Sequence, residues 1–147
     1  MIASLVFAAL LTLFEWATPG SFGNEIAISA PRADVEADLA SAVRDWGMGV
    51  GDGEAEIRVV FEAIDYGAAS ASLRDGECVI RAPEGYEPGP PEFRAEGKDF
   101  WYNVLVHEVG HCLGLGHTAN WVPSTMGENA NRPVTAFDRA VMALLYH

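Results

Sequence analysis

Apolar and polar positions follow two rhythms along this chain, and their order predicts its elements. Residues 25–29 (EIAIS) alternate as a short strand does. Over residues 34–46 the apolar positions Val35, Leu39, Ala42, Val43 and Trp46 fall at helical spacing. Pro31 and Asp34 lie near the start of that helix and Gly47 just past its end, as helix boundaries favour. Residues 47–53 (GMGVGDG) read as a loop. The β-branched run 56–64 (EIRVVFEAI) predicts the firmest strand, 68–73 a weaker one, and 77–82 (ECVIRA) another, with Asp75-Gly76 marking a tight turn before it. Prolines and glycines between residues 83 and 91 exclude regular structure there. An apolar helical run spans 100–113, with Asp99 as N-cap and Gly114 and Gly116 at its end. Residues 120–133 read as irregular. A last helix covers 135–146, where Thr135 and Asp138 have capping-box spacing and Phe137, Val141, Leu144 and Leu145 form the buried stripe. Strand, helix, several strands, helix, helix predicts an α+β fold with an antiparallel-rich sheet.

Residues 2–14 (IASLVFAALLTLF) stand apart as an almost wholly apolar stretch. A bilayer span needs about 20 residues, so the run suits the apolar region of a secretory signal better. No Lys or Arg precedes it, and the small residues near Ala17 and Gly20 make a mediocre cleavage site. The expectation is a signal peptide over residues 1–20, a domain over 21–147 and a secreted or extracytoplasmic location. A retained membrane anchor and a buried N-terminal segment are the alternatives.

Composition narrows the rest. A chain of 147 residues, half of them apolar, suits one domain with one core. A net charge of -12 excludes a nucleic-acid partner, because phosphate repels such a surface. The acidity otherwise describes a solvated surface. Calcium binding and a preference for basic substrates are the functional alternatives, and no run selects either. Cys78 and Cys112 form one bridge in an exported protein or stay as buried thiols in a cytosolic one.

The chemistry concentrates in His107-Glu108-Val109-Gly110-His111-Cys112-Leu113-Gly114-Leu115-Gly116-His117. Two histidines four apart on a helix project from one face, and their imidazoles can converge on one zinc ion. Glu108 emerges beside such an ion, within reach of its water, and so is the candidate general base. A third ligand cannot come from further along the same helix. Gly114 and Gly116, each free to take positive φ, turn the chain back and carry His117 toward the same ion. Three protein ligands leave a fourth position open, the catalytic arrangement. Cys112 points about 100° away from the face of its neighbour His111, off the metal side.

This stretch resembles the metzincin zinc signature HExxHxxGxxH, and the matrixin branch in particular. Ser124-Thr125-Met126-Gly127 is similar to the methionine turn of that family, which makes Met126 the floor beneath the metal. Thr118 and the ending Asp138–Tyr146 also resemble matrixins, and residues 99–147 carry most of the likeness. The resemblance implies a zincin-type catalytic domain, with an N-terminal helix, an active-site helix and a C-terminal helix around a small twisted sheet. It further implies a zinc endopeptidase acting on protein or peptide substrates, with zinc-bound water activated by Glu108. The extended substrate would add to an edge strand, for which residues 77–82 are the candidate. Several family features are missing. No propeptide cysteine motif is visible, and the fourth histidine, His147, lies outside the sheet half where a second zinc would sit. Calcium has only Asp52 and Asp75 as weak candidates. Gly127-Glu128-Asn129 replaces the usual Pro-x-Tyr pocket wall, which leaves substrate preference and the role of Glu128 open. A zinc-binding interaction module without turnover, and a zinc hydrolase acting on a cell-wall cross-link, are the competing readings.

Overall fold

Asp75 and Gly76 both take positive φ, 51° and 79°, and close a two-residue turn between β4 (Ser70–Arg74) and β5 (Glu77–Pro83). This is the backbone that tight hairpins require, and the Asp-Gly pair supplies it. The other strands are β1 (Glu25–Ser29), β2 (Gly49–Gly51) and β3 (Ile57–Glu62); the helices are α1 (Ala33–Asp45), α2 (Pro91–Ala95), α3 (Phe100–Cys112) and α4 (Ala136–Tyr146). The computed structural model describes residues 9–20, 22–63, 69–129 and 132–146. Residues 2–8 of the apolar run, the end of the strand expected over 56–64, the start of that over 68–73, and His147 lie outside the described residues.

The fold is mixed α+β, but the expected antiparallel-rich sheet is not what forms. The strand order is β2-β1-β3-β5-β4. β1 pairs in parallel with β2 and with β3, β3 pairs in parallel with β5, and only β4 and β5 are antiparallel. Connectivity explains the difference. α1 carries the chain back across the sheet between β1 and β2, so those strands point the same way. After β3 the chain reverses into β4 and reverses again into β5, which inserts between them and so runs with β3. Residues 77–82 are therefore interior, bonded on both sides, and β4 is the edge strand on that side. Residues 47–53 are not all loop either: Gly49–Gly51 forms β2, a short strand that glycine content disguised. A short helix, α2, begins at Pro91, next to the proline-rich loop.

One core joins sheet and helices. Ile26, Ile57, Val59, Cys78, Ile80 and Ala82 point from the strands toward Val35, Leu39, Ala42, Val43 and Trp46 of α1, as the helical spacing predicted. α3 is buried over most of its circumference and packs on α1, where Trp46 Nε1 donates to the Val106 carbonyl at 2.9 Å. Asp99 caps α3 by accepting from the Tyr102 amide at 3.1 Å, and its other oxygen accepts from the Gly89 amide at 3.1 Å. The second bond ties the proline-rich loop to the start of α3. On α4, Val141 is buried and Phe137 and Leu145 pack partly on the core, while Leu144 is exposed and Met142 is buried instead. No helix among the described residues is long and apolar enough to cross a membrane.

Candidate metal centre

α3 presents His107 and His111 one turn apart on one face. Each ring is oriented from behind by a backbone carbonyl. His107 Nδ1 lies 2.7 Å from the Thr125 oxygen, and His111 Nδ1 lies 2.7 Å from the Leu115 oxygen. A carbonyl only accepts, so in both rings Nδ1 carries the proton and Nε2 keeps its lone pair. His117 Nε2 stands 3.2 Å from each of those Nε2 atoms. The three histidines are thus positioned to bind a metal ion. The edge of a tetrahedron with zinc–nitrogen bonds of 2.0–2.1 Å is about 3.3–3.4 Å, close to the two separations from His117, and all three donor atoms lie within 4.8 Å of one another. Burial first, and then the neighbouring His111 and His117, hold the His107 pKa down at about 4; burial likewise lowers that of His111. Neutral imidazoles are the ligating form.

The turn that delivers His117 depends on Gly114, whose φ is +106°, a region costly for any side chain. Gly116 does not take positive φ, contrary to the sequence expectation. Its role is close approach, since a Cβ there would stand 2.8 Å from the Trp16 ring.

Beneath the site, residues 124–127 turn under α3. Met126 is fully buried, and its thioether lies against Gly110, which the Trp46 ring also approaches. The turn is held by Asp138 at the start of α4. That carboxylate accepts from Ser124 Oγ, from the Thr125 amide at 2.9 Å and from the Thr135 amide at 3.0 Å. The capping box expected at Thr135 and Asp138 thus forms, with Thr135 Oγ1 receiving the Asp138 amide at 3.2 Å. It has a second task that spacing did not announce. By fixing Thr125, Asp138 fixes the carbonyl that orients His107.

Glu108 is 6% exposed, and its Oε2 has no hydrogen-bond partner among the described residues. Burial pushes its carboxyl up to about 7. Cys112 is bonded to Cys78, tying the end of α3 to β5 and removing it from ligation. A cavity of about 420 Å³ opens beside His111, bounded by Trp16, Pro19 and the Ala71 and Leu73 side chains of edge strand β4. Glu128, Asp52 and Asp75 are exposed, and the metal-ligating cluster among the described residues includes none of them.

Compared with models of known protein families, the chain matches none, and a search of curated proteins also finds no match.

Proposed function

We propose that this protein is a zinc-dependent endopeptidase of the metzincin, matrixin-like kind. The observation that carries this reading is the convergence of three Nε2 atoms, two of them locked by carbonyls, next to a buried carboxylate whose Oε2 has no hydrogen-bond partner among the described residues. A closed structural site would have no use for Glu108. His107, His111 and His117 would hold the zinc ion, which would supply Lewis acidity for a carbonyl and for water near neutral pH.

The chain's own residues do the rest. Glu108 takes the proton from the attacking water at the scissile carbonyl and returns it to the departing amine. Its burial suits this work, because a carboxyl near pH 7 both accepts and releases a proton there. Met126 and Asp138 act from below, holding the floor and the Thr125 carbonyl. The free edge of β4, beside His111, is where an extended peptide would add as a further strand. The disulfide is of the kind that oxidising compartments sustain, which supports export.

Zinc content and peptide-library cleavage, on wild type beside Glu108→Ala, test the reading. The expected result is one zinc per chain in both proteins and cleavage by the wild type alone. Zinc in both with cleavage by neither would favour a binding module or an unusual substrate such as a cell-wall cross-link. A folded protein that takes up no zinc would overturn the proposal.

A further inference from the structure

Residues 14–18 run antiparallel to the turn that carries His117. Phe14 faces Thr118 and Ala17 faces Leu115 as bridge partners. Three backbone hydrogen bonds join the segments: Glu15 N to His117 O at 2.8 Å, Gly116 N to Trp16 O at 2.7 Å, and Thr18 N to Gly114 O at 2.8 Å. The Trp16 indole stacks on the His111 imidazole, with ring centroids 5.9 Å apart and planes 28° apart. α4 secures both segments. Tyr146 Oη accepts from the Gly20 amide at 2.9 Å and donates to the Leu113 carbonyl at 2.6 Å, and Phe14 stacks on Phe137 at 6.0 Å.

Two glycines are shaped to this segment. A Cβ on Gly114 would fall 1.6 Å from the Thr18 carbonyl oxygen. A Cβ on Gly116 would stand 2.8 Å from the Trp16 ring and 2.9 Å from its amide nitrogen. Since Gly116 does not need positive φ, the approach of Trp16 is the contact that asks for glycine there.

The third ligand is held differently from the other two. His107 and His111 are oriented by carbonyls, whereas the described contacts of the His117 ring are with those two imidazoles. No carbonyl stands behind its ring among the described residues, and its backbone is held on both sides. That backbone is clamped between Glu15 N on one side and, through Thr118 N to Met126 O at 2.9 Å, the methionine turn on the other.

We propose that residues 15–18 are a positioning strap for the metal centre, with Trp16 setting His111 by stacking and the strap backbone setting His117. The inference rests on reading the triad as a metal site. It places residues 14–20 in the catalytic unit, so that processing near Ala17 or Gly20 would remove part of the centre.

The test uses the full chain as wild type, Trp16→Ala, Trp16→Phe and Gly116→Ala. Zinc affinity by chelator competition, visible absorption of the cobalt-substituted protein and melting of the metal-free protein are measured together. Trp16→Ala and Gly116→Ala are expected to weaken zinc by about tenfold or more, as loss of groups that orient ligands does, and to alter the cobalt spectrum. Trp16→Phe keeps a ring over His111 and is expected to restore both. Gly116→Ala retains every strap residue and decides the matter should Trp16→Ala fail to fold. Variants that melt lower but match the wild type in affinity and cobalt spectrum would overturn the strap's positioning role while leaving the peptidase reading intact. A wild type that binds no metal would overturn both.

Discussion

Gly110 lies directly over Met126, so close that a Cβ on the glycine would stand 2.3 Å from Sδ and 2.8 Å from the Trp46 ring. The helix between the two α3 histidines therefore rests on residues 124–127 without a spacer. Gly110→Ala is expected to destabilise the fold by about 1–3 kcal/mol, the usual cost of overpacking, read from denaturant midpoints. In a Met126→Ala background the same change should cost less, because the opposing sulfur is gone. A double-mutant cycle showing no coupling would mean the overlap relaxes elsewhere.

Asp138→Ala strands the Thr125 amide and the Ser124 hydroxyl, both buried. Each such loss costs about 1–3 kcal/mol, so the melting transition should fall well below wild type. The Thr125 carbonyl loses its fixed place at the same time. Zinc affinity should drop although Asp138 is no ligand, and calorimetric titration of the folded variant checks this.

Replacing both cysteines by serine should cost about 4 kcal/mol on the chain-entropy account of a bridge spanning 34 residues. The zinc content of the folded fraction should stay at the wild-type level, because Cys112 faces β5 and not the triad. Loss of zinc from a folded double variant would return Cys112 to the list of ligands.

Chelation offers a direct test of linkage between metal and fold. An ion that binds only the native state, present at a thousandfold over its dissociation constant, stabilises by about 4 kcal/mol. Stripped protein should melt lower and recover on adding zinc. His117→Ala should abolish most of that recovery while leaving the stripped protein's own melting temperature little changed, since the described contacts of the His117 ring are with the other two imidazoles.

Local signals were readable where one segment decides its own conformation. The spacing of Val35, Leu39 and Val43, the Asp75-Gly76 turn, the Asp99 cap and the His107–His111 pair all depend on residues within a few positions of each other. What escaped depends on partners far along the chain. Alternation in residues 77–82 announces a strand, but its direction and its interior place follow from how β3 and β4 are connected. Gly49 and Gly51 pair with β1 through backbone groups that any residue carries, so their side chains leave no strand signal. Gly110 lies inside the α3 helix, and the Met126 sulfur and Trp46 ring that crowd it come from distant parts of the chain, so only the fold reveals them. Gly116 was credited with a turn when its purpose is to admit Trp16. Trp16 follows the apolar run, and its stacking on His111, far along the chain, is a contact that only the fold supplies.

The pairing of Gly20 with Tyr146 spans 126 positions, and it secures the same turn that presents His117. Contacts of such separation are the slowest to form, because so much chain must be brought together before any bond rewards it. The two histidines of α3 can line up as soon as that helix folds. The third reaches its clamped place only when residues 14–20 and α4 have met, so on the proposed reading metal capture would come late in folding. A half-folded chain would present two of the three imidazoles, and the full triad would arrive only with the final tertiary contacts.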